Sequence, residues 1–219
     1  MNRKLPSKNM GTSNLGWLES RFHFSFAEYV NYDNMNFGVV RVINNDIIHP
    51  NSGFGTHPHH DMEIITYVID GELTHKDSMG NSETLRSGEV QYMSAGTGIT
   101  HSEYNENDSV DLRLLQMWII PPKKHVSPLY GSHKFTPTES ENKILNIVSS
   151  QEGDAKIKIH QDINMYVSKI KQGTTLNFDI KINRQVYFVQ IEGESNIYGE
   201  ILHHGDAMEI VDETSLTIE

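Results

Sequence analysis

Short apolar and alternating segments dominate the chain, and they predict strands. They are rich in Val, Ile, Tyr and Phe, which favour pleated, half-buried surfaces. Turn-forming residues separate them at short intervals, as at Asp70-Gly71 and Gly80-Asn81. No segment keeps a helical period for more than about ten residues. Strands are predicted at residues 37–43, 63–69, 89–93, 112–120, 165–170 and 185–191.

A weak internal repeat indicates two copies of one β unit. The segment YVIDGE at 67–72 resembles VQIEGE at 189–194, an offset of 122 residues. Similarly, SGEV at 87–90 resembles HGDA at 204–207, an offset of 117. A polar, Pro-containing stretch at 121–142 is interpreted as the linker. The predicted domains are therefore residues 1–130, with the preceding strands, and residues 131–219.

Composition and charge restrict the class of protein. The 219 residues are enough for one large or two small domains with a real core. The chain has 29 acidic and 18 basic residues, a net charge of −11, so its surface should repel phosphate backbones. The densest basic stretch, Lys123-Lys124, is interpreted as a solvated loop. Direct nucleic-acid binding is therefore not expected.

Absent features narrow the chemistry further. Without cysteine there are no disulfides and no Cys-based metal sites, so a metal must be held by His, Asp or Glu. The N-terminal segment lacks the apolar core of a signal peptide, and no run of 18 apolar residues occurs. We therefore expect a cytoplasmic protein without membrane contact. A monomer is expected because two fused barrels can bury their sheets against each other.

The segment 55–63, GTHPHHDME, contains the densest group of potential metal ligands in the sequence. In a strand, residues two apart share a face and lie about 6.6 Å apart. His57 and His59 can therefore converge on one ion at N–metal distances of about 2.0–2.1 Å. Residues two apart on a helix do not face each other, so this spacing indicates a strand.

A second pair with the same spacing follows about forty residues later, in SAGTGITHSE at 94–103. The glycines bend the chain into a strand on which His101 and Glu103 share a face. Two pairs that face inward from one barrel wall make a site of three imidazoles and one carboxylate. A divalent ion there keeps a net charge of +1, which favours an anionic substrate, and an octahedral ion keeps two open positions.

The second copy of the repeat lacks this set of ligands. The positions that correspond to the three histidines carry Asp179, Lys181 and Ile218, and the fourth lies beyond residue 219. If two barrels exist, only the N-terminal one is predicted to bind metal.

Several nearby residues are weaker candidates. By parity Glu63 shares the face of the first histidine pair unless a bulge intervenes, and it is expected behind Glu103, as a proton acceptor or a reserve ligand. Asp61 is interpreted as a solvated or supporting carboxylate, His60 as exposed or structural, and His75 as hydrogen-bonded. Five residues are candidates for a pocket lining or for ordinary core: Phe26, Phe54, Met62, Met93 and Trp118. The other histidines lack a partner at ligand spacing and are interpreted as surface residues: His23, His49, His125, His133, His160, His203 and His204.

At these residues the chain resembles a known family. The segments GFGTHPHHDMEIITYVIDGELTHKDSMGN and VQYMSAGTGITHSEYN are similar to the signature segments of the pirin family, a bicupin group that includes bacterial quercetin 2,3-dioxygenases. The similarity covers about residues 14–135. It implies an all-β bicupin fold with two β-barrel (double-stranded β-helix) domains facing each other, the second without metal. It also implies four metal ligands, commonly for iron: His57, His59, His101 and Glu103.

The resemblance further implies a metal-dependent oxidoreductase that opens the heterocycle of a flavonol such as quercetin with O2. A flavonol presents a 3-hydroxyl and a 4-carbonyl to the open positions of the metal, which lowers the pKa of the hydroxyl. Glu103 or Glu63 is expected to accept the proton. Fe(II) is the expected ion, although this ligand set also accepts Mn, Ni, Co, Cu or Zn.

Two alternative functions stay open. Some pirin relatives are regulators, so the chain could be a non-enzymatic, metal-loaded protein that binds a protein partner. A sugar isomerase or epimerase on the same barrel is the third interpretation, and the resemblance points away from it. Fold and ligand set do not determine chemistry in this superfamily, so the natural substrate cannot be read from the sequence.

Overall fold

Strands make up nearly all of the regular structure. The computed structural model describes residues 2–219, and within this range the helices are a 3-10 turn at Ser7–Asn9 and the short helix α1 at Pro137–Ser140. No helix in this range has the length and apolar character to cross a membrane. The predicted all-β fold is therefore confirmed.

The strands follow one another along the whole chain, and each of the six predicted runs overlaps one of them. In chain order they are β1 (Arg3–Leu5), β2 (Gly11–Asn14), β3 (Leu18–Phe22), β4 (Val40–Ile48), β5 (Ser52–His59), β6 (Glu63–Asp70), β7 (Glu72–Asp77), β8 (Ser82–Arg86), β9 (Glu89–Ser94), β10 (Ile99–Asn105), β11 (Leu112–Ile119), β12 (Leu129–Lys134), β13 (Leu145–Ser150), β14 (Ile157–Ile159), β15 (Asn164–Val167), β16 (Leu176–Asp179), β17 (Val186–Val189), β18 (Glu194–Ile197), β19 (Glu200–His203), β20 (Ala207–Ile210) and β21 (Ser215–Ile218).

The chain forms two compact units, each built from more than one segment. The larger unit contains Gly11–Pro137 and Asn146–Tyr166. The smaller unit contains residues 2–10, Thr138–Leu145 and Val167–Glu219. The chain passes between the units several times, so the structure divides it differently from the predicted cut between residues 130 and 131. That cut lies inside β12.

Two main sheets build the larger unit. One has seven strands in the order β12-β9-β6-β11-β4-β3-β2, and the other has four in the order β5-β10-β7-β8. A separate three-stranded sheet, β14-β13-β15, comes from the second segment of the unit apart from its terminal residues Leu145 and Val167. Neighbouring strands of the two main sheets pair antiparallel, as short turns between consecutive strands allow.

Two apolar clusters fill the interior between the two main sheets. Both clusters contain side chains from both sheets, so the sheets enclose one core. Each fully buried aliphatic side chain stabilises the fold by about 1.5–3 kcal/mol. The first cluster is Leu18, Ile48, Val68, Leu73, Leu85, Leu112 and Leu114. The second is Ile64, Met93, Ala95 and Ile99, with Met62, Trp118 and Tyr130 packed against it.

A layer of polar side chains separates the two apolar clusters. On β6, Thr66 lies between residues of the two clusters, and Gln116 occupies the same position on β11. Gln91 of β9 and Glu103 of β10 are also buried inside this unit. Buried polar groups cost free energy unless they are hydrogen-bonded. Packing stability alone therefore does not explain why polar residues occupy this layer of the core.

The segment predicted as a linker, residues 121–142, is partly ordered structure. Within it β12 pairs antiparallel with β9 over six residues and forms one edge of the seven-stranded sheet. Its sequence, LYGSHK, has too few apolar positions to be recognised as a strand. The linker prediction is therefore wrong for Leu129–Lys134, because pairing with a buried neighbour overrides a weak local preference.

The smaller unit repeats the turn chemistry of the larger one. Gly71 follows β6 with a φ of 81°, and Gly193 lies before β18 with a φ of 70°. Glycine adopts this left-handed conformation without steric cost. These two glycines are the ones that the internal repeat aligns, so the repeat corresponds to equivalent turns.

The sheets of the smaller unit are short and enclose an aliphatic core. They have the orders β1-β20-β17, β16-β21 and β18-β19. The core residues are Ile180, Ile197, Leu202, Met208, Ile210, Leu216 and Ile218. Of the three residues that replace the histidines in this copy, Asp179 and Lys181 are exposed and Ile218 is part of the core.

Candidate metal centre

The pairing of β5 with β10 brings the three predicted histidines to one face. His101 lies directly opposite His57, and Ile99 lies opposite His59. Because alternate side chains of a strand share a face, His59 projects to the same side as His57. A β-bulge in this strand pair lies between His101 and Glu103. The two-residue spacing of the sequence is thus realised on two neighbouring strands.

The three imidazoles converge on a common point. Nε2 of His57 lies 3.1 Å from Nε2 of His101. One nitrogen of each of the three histidines lies within 4.8 Å of the other two. Two nitrogens that bind one ion at 2.0–2.1 Å are about 2.8–3.4 Å apart, for angles from octahedral to tetrahedral. The spacing of His57 and His101 therefore fits a shared metal ion.

The protonation of these rings also suits metal binding. Nδ1 of His57 lies 2.8 Å from the carbonyl oxygen of Gly55, to which it can donate, so that Nε2 keeps its lone pair. Burial, together with the charge of His57, lowers the pKa of His59 to about 4 and the pKa of His101 to about 2. Uncharged imidazoles are the form that binds metals.

Glu103 supplies a carboxylate beside this group. Its side chain is only 2% exposed. Gln116 Nε2 donates to Oε2 at 2.7 Å, and the Thr66 hydroxyl donates to Oε1 at 3.4 Å. Burial raises the pKa of Glu103, and the Gln116 hydrogen bond opposes that shift. Ligand atoms of Glu103, His75 and His101 lie within 4.8 Å of one another, so this second group joins the first through His101.

His75 has hydrogen-bond partners at both ring nitrogens, as predicted for it. Nδ1 lies 3.2 Å from Gln91 Nε2, which donates, and Nε2 lies 3.2 Å from Asp77 Oδ2, to which it donates. The Tyr130 ring stacks on the imidazole at a centroid distance of 4.7 Å. With both nitrogens engaged, His75 is held as a hydrogen-bonding residue rather than presented to an ion.

Aromatic side chains flank the histidines. Trp118 contacts His59 edge-to-face at a centroid distance of 5.0 Å, and Phe26 contacts Trp118 in the same way at 5.4 Å. The ring centroids of Phe54 and His57 lie 6.1 Å apart. Trp118 and Phe54 are therefore close to the histidines and Phe26 packs against Trp118, whereas Met93 is fully buried core.

Comparison with known proteins identifies the family. The family model Pirin matches residues 4–119, which include every residue of the cluster. This chain belongs to the pirin family. A second family model, described as the quercetinase C-terminal cupin domain, matches residues 146–219. The two-cupin architecture expected from the sequence is confirmed by these matches and by the solved structures that the pirin chain resembles.

Several relatives of this pirin are named for one activity. A Zymomonas mobilis protein provisionally named a quercetin 2,3-dioxygenase is 42% identical, and the match covers 99% of this chain and 92% of that protein. The Escherichia coli K12 protein named quercetin 2,3-dioxygenase is 40% identical, with 95% and 89% covered. The structure of the bacterial pirin YhhW from E. coli in complex with nickel(II) superposes with a TM-score of 0.94 at 38% identity, covering 100% of this chain and 93% of that one.

Glu63 does not lie with the histidines in this pirin, so the expected shared face is wrong. Its neighbour Ile64 belongs to the interior cluster, so Glu63 faces the opposite side of β6. There its carboxylate accepts hydrogen bonds from the Tyr92 hydroxyl at 2.5 Å and from the backbone N–H groups of His160 and Gln161 at 2.7 and 2.9 Å. The alternation breaks between β5 and β6, where Asp61 has a φ of 47°.

The other candidates near the motif have structural roles. His60 is exposed and its ring covers Gly98, where an added Cβ would lie 2.8 Å from Nε2. Asp61 accepts a hydrogen bond from the backbone N–H of His125 at 2.6 Å. These placements agree with the interpretation of His60 as exposed or structural and of Asp61 as a supporting carboxylate.

Sequence reasoning missed three residues. His160 was assigned to the surface but contacts the buried Glu63 carboxylate. His23 was also assigned to the surface, yet it is fully buried, and burial lowers its pKa to about 3. Gln116 is not among the predicted site residues, although a polar residue at an inward position of an apolar strand is a signal that could have identified it.

Proposed function

We propose that His57, His59, His101 and Glu103 hold one divalent transition-metal ion. The observation that carries this proposal is the 3.1 Å separation between Nε2 of His57 and Nε2 of His101, with a His59 nitrogen in the same group. The nickel(II) complex of YhhW, 38% identical, supports it. Fe(II) is the ion that we propose for the cell, and other divalent ions suit the same donors.

The proposed reaction is that of a quercetin 2,3-dioxygenase: O2-dependent opening of the flavonol heterocycle, with both oxygen atoms entering the products. The names of the relatives from Z. mobilis and E. coli support this substrate class. When bound, the metal supplies a Lewis acid that favours the deprotonated 3-hydroxyl and a centre for oxygen chemistry. The remaining tasks belong to side chains of this chain.

Glu103 is the residue to which we assign the proton of the flavonol 3-hydroxyl. Of the two glutamates that the sequence offered for this task, Glu63 faces the other side of β6 and is enclosed by donors. Glu103 lies beside His101 in the interior. Before this transfer, three neutral imidazoles and one carboxylate leave a divalent site with a net charge of +1. With the proton on Glu103 the net charge of the site is +2, which attracts the flavonolate anion.

Trp118 and Phe26 provide an aromatic wall for a planar substrate. Trp118 stands edge-to-face against His59, and Phe26 stands edge-to-face against Trp118. Pairs of aromatic rings prefer offset or edge-to-face arrangements over a face-to-face sandwich. A flavonol whose 3-hydroxyl and 4-carbonyl point to the histidines therefore meets apolar aromatic surface beside them.

The test is aerobic incubation of quercetin with protein reconstituted separately with Fe(II), Mn(II), Ni(II), Co(II), Cu(II) or Zn(II). Flavonol absorbance and O2 consumption are followed together. We expect one O2 to be consumed per flavonol with at least one ion, and less than about 1% of that rate in His57→Ala and His101→Ala. His60→Ala is the matched control, because this neighbouring histidine is exposed and outside the cluster.

Three other outcomes each contradict a part of the proposal. Equal turnover in His57→Ala would remove the metal site from the reaction. Stoichiometric metal binding without turnover for any ion would favour the alternative of a metal-loaded regulatory protein. Failure of the wild-type protein to bind any of the ions would remove the metal centre itself.

A further inference from the structure

Two inward-facing residues of β11, Gln116 and Trp118, connect two of the proposed metal ligands. Gln116 Nε2 donates to Glu103 Oε2 at 2.7 Å. Trp118 Nε1 donates to Gln116 Oε1 at 3.1 Å. The Trp118 ring also stands edge-to-face against His59, with centroids 5.0 Å apart and an interplanar angle of 86°. Neither of the two hydrogen bonds involves an imidazole nitrogen.

The direction of this hydrogen-bond chain is determined by chemistry. An indole N–H can only donate, so Gln116 must present its carbonyl oxygen to Trp118. The NH2 group of Gln116 then has to face Glu103, where it can only donate. Oε2 of Glu103 therefore always receives a hydrogen bond, and this interaction favours the charged carboxylate over the protonated acid.

Burial makes this donor important. Glu103 is 2% exposed, so water cannot replace a lost hydrogen bond. The second hydrogen bond of the carboxylate, from the Thr66 hydroxyl to Oε1, is long at 3.4 Å and weak. Gln116 therefore engages Oε2 firmly, and Oε1 is the oxygen that is left for an ion.

We infer that Gln116 is a positioning residue that orients Glu103 for the metal, and that Trp118 determines the orientation of the Gln116 amide while it supports the His59 ring. This inference rests on the metal site proposed above. It adds residues that bind no metal themselves. Partners that orient metal ligands typically change metal affinity by about 10–100-fold when they are lost.

The test measures metal binding rather than turnover. Ni(II) and Co(II) affinities are determined by competition with a chelator for the wild type, Gln116→Met, Trp118→Phe and Gln91→Met. Methionine matches the shape of glutamine without its donors. Gln91→Met is the matched control, since Gln91 is also an amide of the interior layer. It is fully buried, whereas Gln116 is partly buried, and it donates to His75 instead of Glu103.

We expect Gln116→Met to weaken Ni(II) binding by about 10–100-fold and to change the d–d absorption of the Co(II) protein, which reports ligand geometry. Trp118→Phe keeps an aromatic ring beside His59 but lacks the N–H. Its Ni(II) affinity should therefore fall by about 3–10-fold, less than that of Gln116→Met. Gln91→Met should stay within about threefold of wild type and keep its Co(II) spectrum. Thermal unfolding of the metal-free proteins separates these effects from loss of the fold.

Each contrary result has one meaning. If Gln116→Met binds Ni(II) like the wild type, or Gln91→Met loses as much affinity as Gln116→Met, then Gln116 does not position Glu103. If Trp118→Phe equals the wild type while Gln116→Met is weakened, the role of Trp118 is wrong. If the wild type binds neither metal, the proposed metal site itself is wrong. This outcome is distinguishable from failure of the Gln116 inference, because it is observed in the wild type alone.

Discussion

The interiors of the two units differ in what they bury. The core of the smaller unit is a set of aliphatic side chains, with Ile218 at the position that corresponds to a histidine of the larger unit. The larger unit places a polar layer between two apolar clusters, and Glu103, His75 and His101 are almost fully buried there. Both units share the glycine turn that the repeat aligns. The fold that the two units share thus requires an apolar core. The polar layer is an addition, and the free-energy cost of burying it must be offset by a ligand or by complete hydrogen bonding.

The largest expected effect tests whether the buried carboxylates of the larger unit have separate tasks. Glu63→Ala leaves the donors of Tyr92, His160 and Gln161 without their acceptor. The free energy of unfolding should fall by about 3–5 kcal/mol. Urea denaturation measures this loss, and Ni(II) affinity should stay within about threefold of wild type.

The control for that change is Glu63→Gln, which keeps one acceptor oxygen and should lose less stability than the alanine variant. A Glu63→Ala protein with unchanged stability and weakened metal binding would return Glu63 to the metal centre and contradict its placement here.

Metal binding should stabilise the larger unit. At free Ni(II) 100 times its Kd, linkage predicts about 2.7 kcal/mol of added stability. Hydrogen exchange should slow in β5 and β10, and it should not slow in β18 and β19 of the smaller unit. His59→Ala should abolish the effect, because one of the three converging nitrogens is lost. Uniform protection of both units would contradict the assignment of the ion to the larger one.

A third prediction concerns the pH dependence of the metal-free protein. Burial, and then the charge of Arg21, lower the pKa of His23 in the larger unit to about 3, below its ordinary value of 6.5. The unfolded chain therefore binds a proton that the folded chain excludes. The contribution of His23 to stability is complete above pH 6.5 and is lost as the pH falls from 6.5 towards 3.

His23→Gln should reduce the slope of unfolding free energy against pH by about 1.4 kcal/mol per unit between pH 6 and 4. The difference between variant and wild type isolates His23 from the other histidines. Urea denaturation at several pH values provides the measurement, and parallel slopes for the two proteins would contradict a neutral, buried His23.

The last prediction is that a double substitution in the smaller unit leaves the number of bound metal ions per chain unchanged. Asp179→His and Lys181→His together restore the H-x-H spacing in the smaller unit, at two exposed positions. Ile218 still occupies the core position that corresponds to His101, so no third nitrogen is available. Equilibrium dialysis with Ni(II) should give one ion per chain, as in wild type. A second bound ion would mean that the two interiors differ less than proposed.

Local sequence determined the strands and the histidine pairing. Alternation and turn residues depend only on near neighbours, so the six predicted runs overlap real strands. The two-residue spacing of His57 and His59 becomes a shared face as soon as the segment is extended. The repeat, in turn, predicted which turns are equivalent and which copy carries the group of converging histidines.

Tertiary structure decided the features that depend on partners distant in the chain. Parity failed for Glu63 because one left-handed residue, Asp61, separates two strands that then belong to different sheets. β12 exists because β9 offers it an edge, and His160 is half-buried because the chain returns to Glu63 about a hundred residues later. The importance of Gln116 appears only when β11 lies beside the rest of the interior layer. Hydrogen-bond partners and the orientation of an amide are properties of assembled neighbours, so no local pattern encodes them.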